Sequence, residues 1–347
     1  ILRKHNVVAA HNGMAPLFCP AIIGIDETWL DALDVYLSEC FDAFLYPTAD
    51  LNATSLNVRW QRAVGKPAWI LRTSTPNHYA HWPISPAQWE LHAAAGKANG
   101  CKVFGPCGVG AYPDTTSAKR LLAGVTKAFA AYMQDADLDP DAHPVSKAAL
   151  VFSWATRRYF GPHPDVFDHR APPEFWSGDL IGWGKLLIEQ HVPFDMLVAE
   201  QIQSASQLNG YELIVLPNVA NASDRLCSVL GEYARAGGRV LASGECARRD
   251  ETNQLRGDSG LAEVLGISCK GAVTGPFAIE RPMEPEPAAG VFQQVAATGQ
   301  VMARRWEVDP AGSVGGVRVL DPLPVKTTNW PVIVRNVFGK GESFYAA

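Results

Sequence analysis

The sequence predicts an α/β protein in which the strands of parallel sheets alternate with helices. Two observations support this prediction. Before residue 135, four short apolar runs are each followed by a helical pattern, an alternation that is typical of parallel sheets. Further along, residues 211–246 (YELIVLPNVANASDRLCSVLGEYARAGGRVLASGEC) have the pattern of a strand, a helix and a second strand. We therefore expect a doubly wound α/β layer in this part of the chain.

The first two strands are placed by apolar runs on either side of a long amphipathic pattern. Asn6–Ala10 predicts the first strand, with His11 and Asn12 at its end, and Ala43–Tyr46 predicts the second. Between them, Asp26 fits an N-cap, and six apolar residues recur at the spacing of one helix face: Trp29, Leu30, Leu33, Tyr36, Leu37 and Cys40. This spacing predicts one helix from Asp26 to Cys40, with Asp31, Asp34 and Glu39 facing water.

The next strand-and-helix pair carries a strong helix-start signal. A polar loop over 48–57 and a short helical piece around Trp60 precede a third strand at Ala68–Leu71. Ser85, Pro86 and Gln88 then give the pattern of a capping box with proline in the first turn, and the helix should end near Asn99 and Gly100. We expect Trp89, within this helix, to belong to the core.

The remaining elements divide the chain into two parts. Asp135–Pro144 is an acidic, proline-containing linker that marks a domain boundary. Its flanking elements are predicted as follows: a fourth strand at Lys102–Phe104, a helix over Leu121–Met133, a strand at Ala148–Phe152, a loop over Ala155–Trp176, a helix over Asp179–Gln190, a strand at Phe194–Leu197, a short helix LAEVL after Gly260, and then β segments.

The unit at 211–246 has the clearest boundaries. Glu212–Leu216 is a short apolar run, as expected of a strand buried on both faces. Ser223 fits the N-cap of a helix whose apolar residues recur at helical spacing, and Gly237–Gly238 should end that helix. Arg239–Ala242 is the second strand. The two strands should therefore be parallel, joined by a right-handed crossover.

Composition excludes several classes of partner and site. The net charge is −5, and no run of Lys and Arg offers a phosphate-binding stripe, so we expect no nucleic acid. The seven cysteines form no Cys-x-x-Cys pair, which favours reduced thiols in the cytoplasm and no structural zinc. No apolar run reaches the roughly 20 residues that span a bilayer. The chain lacks an initial Met, and we expect it to be an internal piece of a longer protein.

The order of these segments resembles a group of glycoside hydrolases. Strand ends with His-Asn, Tyr-Pro and Leu-Arg-Thr, followed by GYELIVLPNVANASD and YARAGGRVLASGE, are similar to the group with a β-galactosidase trimerisation domain, in its α-L-fucosidase-like branch. The resemblance implies that residues 1–140 are the second half of a (β/α)8 TIM barrel. It implies that residues 145–347 are a flavodoxin-like, class I glutamine amidotransferase-like trimerisation domain. About four further β/α units should then precede Ile1.

The resemblance also implies hydrolysis of O-glycosidic bonds, of the β-galactosidase or α-L-fucosidase type, at the carboxyl ends of the barrel strands. The fragment alone should be inactive. Polar and aromatic side chains near those ends are the candidate sugar-binding residues: His11, Asn12, Tyr46, Arg72, Tyr79 and Trp82. Some of them could instead only tie loops to the barrel rim. No cofactor is expected, and the protein should be a homo-oligomer, with a trimer implied by the resemblance.

The catalytic carboxylates are harder to place. Glycoside hydrolysis needs two carboxyl groups about 5 to 10 Å apart. In β-galactosidases of this architecture the nucleophile is a Glu at the end of the seventh strand, and the matching segment AWILRTST has Arg72 and Thr73 instead. Asp50 and Asp114 are the nearest candidates, although either could be a turn-forming Asp. The pair therefore lies mostly in the preceding half of the barrel or is absent.

Two alternatives to a glycoside hydrolase remain open from the sequence. The protein could bind carbohydrate, or serve as a scaffold, without catalysis. It could be a relative of the Cys-dependent amidotransferases, because Cys246 follows a strand in GECARRDE, although no His follows His191 to act as its base. The histidines at 78, 81, 163 and 169 match no strong metal motif, so we expect no metal site.

Overall fold

The structure is a computed structural model, and the chain divides into two compact units. The first comprises residues 1–146 and 160–197, and the second comprises residues 147–159 and 198–347. The structure describes residues 8–14, 27–40, 52–73, 84–107, 119, 122–127, 130, 144–160, 176–280, 302–310, 313–314, 318–322, 325–331 and 333–346. Three sheets organise these residues: one parallel, one mixed and one antiparallel.

The first sheet contains four parallel strands in the order β1-β2-β3-β4. Its strands are β1 (Ala10–Met14), β2 (Val35–Cys40), β3 (Ala68–Thr73) and β4 (Val103–Cys107). Helices α1 (Glu27–Ala32), α2 (Ala53–Ala63) and α3 (Pro86–Ala98) alternate with them, and residues 122–127 are also helical. The predicted alternation of parallel strands and helices is confirmed, and α2 is longer than the short piece that we expected around Trp60.

The predicted helix from Asp26 to Cys40 is wrong. Its first part forms α1, but the segment from Val35 onwards is strand β2, which pairs with β1 and β3. Val35, Tyr36 and Leu37 are β-branched, aromatic and apolar, and pairing on both sides outweighed the helical spacing of the apolar residues. The first strand also begins later than predicted, at Ala10, while the predicted strand Ala43–Tyr46 lies outside the described residues.

Helix α3 begins as the sequence predicts. The backbone N of Gln88 donates to Ser85 Oγ at 3.2 Å, and the backbone N of Ser85 donates to Gln88 Oε1 at 2.8 Å, which completes the capping box. Trp89 is fully buried, and its ring meets the ring of Phe104 edge-on, with centroids 5.8 Å apart. Trp89 is therefore a core residue, as expected.

The second and third sheets belong to the remainder of the chain. The mixed sheet has the order β11-β14-β15-β8-β7-β5-β6 and the antiparallel sheet has the order β10-β9-β12-β13. Their strands are β5 (Ala148–Phe152), β6 (Phe194–Val198), β7 (Leu213–Leu216), β8 (Arg239–Ser243), β9 (Ile267–Glu280), β10 (Met302–Pro310), β11 (Ser313–Val314), β12 (Arg318–Pro322), β13 (Val325–Pro331), β14 (Ile333–Phe338) and β15 (Gly341–Ala346). The helices are α4 (Trp154–Phe160), α5 (Trp176–Glu189), α6 (Asp224–Arg235) and α7 (Ala262–Leu265).

The predicted strand–helix–strand unit at 211–246 is confirmed. Strands β7 and β8 pair in parallel, and α6 connects them. Ser223 caps this helix, because its Oγ accepts a hydrogen bond from the backbone N of Leu226 at 3.1 Å. The helix buries Leu226, Val229 and Leu230. None of the helices within the described residues is long and apolar enough to cross a bilayer.

Candidate functional site

The two faces of the β1–β4 sheet differ in what covers them. On one face, Ala68 and Ile70 of β3 are fully buried in a cluster with residues of α2 and α3, including Val58 and Trp89. Side chains alternate between faces along a strand. We call this side the helix-packed face. The opposite face carries side chains that are only partly covered: Leu37, Glu39, Trp69, Leu71 and Val103.

His11 lies on the helix-packed face. Its Cα is in register with that of Tyr36 on β2, and the two rings meet edge-on with centroids 5.9 Å apart. Tyr36 in turn meets the ring of Trp60 on α2, at 5.3 Å. Asn12 is part of β1, in register with Leu37, rather than beyond the strand end. Sugar contact stays a prediction for both residues. For His11, the ring contact with Tyr36 does not favour it.

Arg72 also differs from its expected placement. The sequence placed it after the third strand, whereas it lies inside β3, in register with Cys40 and Pro106. Its side chain is fully buried. Arg72 is two residues after Ile70, so both side chains lie on the helix-packed face. A sugar that binds over the opposite face would not meet this guanidinium without a rearrangement. Sugar binding by Arg72 remains a prediction.

The other predicted site residues lie outside the described residues: Tyr46, Asp50, Tyr79, Trp82 and Asp114. The same holds for the histidines at 78, 81, 163 and 169. Within the described part of the chain, no group of three or more His, Cys, Asp or Glu side chains could hold a metal ion. The arrangement of these residues therefore stays a prediction.

Sequence reasoning missed Glu39. It assigned this residue to the water-facing side of a helix, whereas Glu39 is the fifth of six residues in β2. Its Cα is in register with Met14 and Leu71, and it alternates with Ser38, which is fully buried on the helix-packed face. Glu39 therefore lies on the opposite face, at the carboxyl end of the strand. The β-branched Val35 followed by the aromatic Tyr36 was the signal that could have indicated a strand, because apolar and polar residues do not alternate over this run.

The carboxyl edge of the mixed sheet is closed by the protein's own groups. Ser153 follows β5, and its Oγ accepts a hydrogen bond from Thr156 N at 3.1 Å. Glu200 Oε1 accepts from Ala155 N at 2.9 Å and from Ser153 Oγ at 3.1 Å. These contacts cap α4, so the predicted loop over Ala155–Trp176 is wrong for residues 155–160, and residues 161–175 lie outside the described residues. Trp176 begins α5.

A second buried group joins the loops at this edge. The backbone N of Asn221 donates to Thr156 Oγ1 at 3.0 Å, and Asn221 Nδ2 donates to the carbonyl of Asp250 at 3.0 Å. Nearby, Asn218 Oδ1 accepts from Glu245 N at 2.9 Å. The doubly wound layer commonly binds ligands at such an edge. Here these bonds join the loops to one another, which indicates a framework, although Asn221 Oδ1 is buried without a hydrogen-bond partner among the described residues.

Cys246 lacks the environment of a nucleophile. Its side chain is 2% exposed, and burial, followed by the neighbouring thiols of Cys227 and Cys269, raises the pKa of its thiol. Burial likewise raises the pKa of Cys227 and of Cys269 to about 11. Nucleophilic thiols need a lowered pKa and access to substrate. The alternative of a Cys-dependent amidotransferase is therefore not favoured.

We expect the three thiols to resist alkylation in the native protein. A pKa raised from 9.0 to about 11 lowers the thiolate fraction of Cys227 about 100-fold at pH 8, and burial of Cys246 lowers access further. Iodoacetamide labelling at pH 8, followed by mass spectrometry, should show Cys246 labelled at least about 100-fold more slowly in native protein than in urea. Faster labelling of native Cys246 than of Cys227 would contradict this assignment.

Comparison with known families connects the second part of the chain to one of them. The family model described as the β-galactosidase trimerisation domain matches residues 146–347. That match covers more than half of the chain. No curated protein sequence matches the chain.

Solved structures share the fold over almost the whole chain. A β-galactosidase from Bacillus circulans sp. alkalophilus aligns with a TM-score of 0.70 at 15% identity, covering 99% of this chain and 51% of that one. A cold-adapted β-galactosidase from Rahnella sp. R3 aligns with a TM-score of 0.71 at 15% identity, covering 100% of this chain and 52% of that one. An α-L-fucosidase isoenzyme 2 from Paenibacillus thiaminolyticus aligns with a TM-score of 0.61 at 18% identity, covering 92% of this chain and 46% of that one. The chain thus spans about half the length of the solved structures that it matches.

Proposed function

This chain belongs to the β-galactosidase trimerisation-domain family of glycoside hydrolases, and from that premise we propose that it is part of an enzyme that hydrolyses O-glycosidic bonds. The observation that carries the proposal is the family match over residues 146–347, to which the shared fold of the remaining residues adds support. β-Galactosides are the proposed substrate class. α-L-Fucosides are the second class, because a fucosidase shares the fold.

We propose that residues 1–140 are the second half of a (β/α)8 barrel and that residues 145–347 are the class I glutamine amidotransferase-like trimerisation domain. Four parallel strands in consecutive order, alternating with helices, support the first assignment, since a barrel adds its strands in this order. The partly covered opposite face supports it too, because the interior of a closed barrel is filled by side chains from all its strands.

On this proposal the active site forms at the carboxyl ends of the barrel strands. Asn12, Tyr46, Tyr79 and Trp82 are the proposed sugar contacts, and His11 and Arg72 stay predicted contacts that their place on the helix-packed face does not favour. Strand β3 ends in Arg72 and Thr73, without a carboxylate. The catalytic carboxylate pair is therefore proposed to lie mainly in the preceding β/α units, with Asp50 and Asp114 as the weaker candidates in this chain.

We propose further that the second part is structural and that the protein assembles as a homo-oligomer, with three subunits as the specific form. The family match supports this proposal. Helix α6 and the segment 159–176 are the proposed contact surfaces. The free thiols of Cys101, Cys227 and Cys246 agree with a reducing cytoplasm, which is the proposed location. Light scattering of the full-length protein measures the number of subunits, and a monomer would contradict the assembly.

The experiment that tests the proposed activity is a panel of aryl glycosides with the full-length protein. We expect release of the aryl group from β-galactosides or α-L-fucosides, and no release from glycosides of unrelated sugars. Sequencing upstream of Ile1 should reveal about four further β/α units. An upstream region without these units would contradict the barrel.

A carbohydrate-binding protein without catalysis is the second candidate function. The end of β3 favours it, because this segment matches the strand that carries the nucleophile in the β-galactosidases and holds no carboxylate. This candidate predicts binding of galactose or fucose, measured by calorimetry, without turnover of any aryl glycoside in the panel.

A further inference from the structure

We propose that Glu39 contacts the substrate in the site of this protein, as a carboxylate that accepts hydrogen bonds from sugar hydroxyl groups. The inference rests on the proposed function and adds a residue to it. It follows from the face of the sheet on which Glu39 lies, from its position along the strand and from the chemistry of its side chain.

The face follows from the register of β2 and β3. Tyr36 and Ser38 are in register with Ala68 and Ile70, and all four are at most 1% exposed on the helix-packed face. Glu39 directly follows Ser38 in the strand, so its side chain lies on the opposite face. Its side chain is partly exposed, so it can reach a ligand over the opposite face.

The position along the strand points to the edge where barrels and open α/β sheets bind ligands. Glu39 is the fifth of six residues in β2, next to its carboxyl end. Trp69, on the same face, is the second residue of β3 and lies near the amino end. Ligands of parallel α/β sheets bind at the carboxyl ends of the strands. Glu39, rather than Trp69, is therefore placed to meet a substrate.

The composition of the four strands singles out this residue. Within β1 to β4, Glu39 is the one carboxylate. The two basic side chains of these strands, His11 and Arg72, lie on the helix-packed face. Sugar hydroxyl groups are hydrogen-bond donors, and a charged acceptor makes stronger hydrogen bonds than a neutral one. A carboxylate at this place can therefore orient a sugar.

The test uses the full-length protein with the change Glu39→Gln, which keeps the shape of the side chain and removes its charge. Loss of a charge-assisted hydrogen bond to the substrate should lower kcat/KM for an aryl glycoside by about 10- to 100-fold. Glu90→Gln is the matched control, because Glu90 lies on α3, where it pairs with Lys127 at an exposed site. The control should stay within about twofold of wild type, and both variants should keep the thermal midpoint.

A second measurement separates sugar contact from a structural role and from the proposed activity. Calorimetry with galactose and with fucose should show binding about tenfold weaker for Glu39→Gln than for wild type. If the wild-type protein is active and Glu39→Gln keeps the wild-type kcat/KM and the wild-type sugar affinity, this inference is overturned while the proposed function stands. A wild-type protein that neither hydrolyses the panel nor binds either sugar would overturn the proposed function and this inference with it. If Glu39→Gln does not fold, Glu39→Asp replaces it, and the same two readouts decide.

Discussion

Replacing Gly341 with alanine is expected to lower the free energy of unfolding by more than about 4 kcal/mol. Gly341 is the buried first residue of β15. A Cβ at this position would overlap the carbonyl oxygens of Gly238 and Ala234, the latter in α6. Because both are backbone atoms, no change of rotamer relieves the overlap. Strand β15 would have to move away from β8 and α6, which breaks the centre of the mixed sheet.

The measurement is chemical denaturation followed by circular dichroism, with Gly182→Ala as the matched control. Gly182 lies within α5, is exposed, and has nothing within 4 Å of the position that a Cβ would occupy. Because alanine is the better helix former, the control should be more stable than wild type by roughly 0.5–1 kcal/mol. A Gly341→Ala protein within about 1 kcal/mol of wild type would show that β15 does not pack as described.

The elements that the sequence predicted well carry their signals locally. Ser85 and Ser223 cap helices through bonds to backbone groups three residues away, so each signal fits within one turn. Strand β5 matched its predicted bounds because five consecutive apolar residues fit a strand buried on both faces. Local chemistry was enough in these cases.

The elements that the sequence missed depend on distant partners. Helix α4 has a local cap, since Ser153 accepts a hydrogen bond from Thr156. It also depends on Glu200, which accepts one from Ala155, 45 residues earlier, and no local pattern predicts that second contact. Strand β2 had helical spacing, and only pairing with β1 and β3 made it a strand. Tertiary pairing overrode the local pattern there.

The candidate site had a different problem, which was the choice between two faces. The predicted strand ends were approximate, because β1 and β3 extend to Met14 and Thr73, past the predicted ends at Ala10 and Leu71. A residue that lies inside a strand, and not in the loop after it, points to the face set by its place in the alternation. Arg72 therefore moved from an expected strand-end loop to the helix-packed face, and Glu39 moved from a helix to the opposite face.

Introducing a carboxylate at Leu71 tests whether the opposite face becomes a barrel interior in the full-length protein. Leu71 lies on that face and is partly exposed in this chain. If preceding β/α units close the barrel, the side chain becomes buried, and Leu71→Asp is expected to cost about 3–5 kcal/mol through an uncompensated buried charge. Ile70→Asp is the matched control, because Ile70 is already fully buried on the helix-packed face.

Denaturation of the two full-length variants distinguishes a closed barrel from an open sheet. In a closed barrel both faces of β3 are buried, so the two substitutions should lower the unfolding midpoint to a similar extent. An open sheet would leave Leu71 half-exposed, and Leu71→Asp would then cost only about 1–2 kcal/mol, through lost partial burial and repulsion from Glu39 in register with it, while Ile70→Asp remained severe. Because that second result needs no assumption about activity, it would contradict the half-barrel assignment even if the full-length protein hydrolysed glycosides.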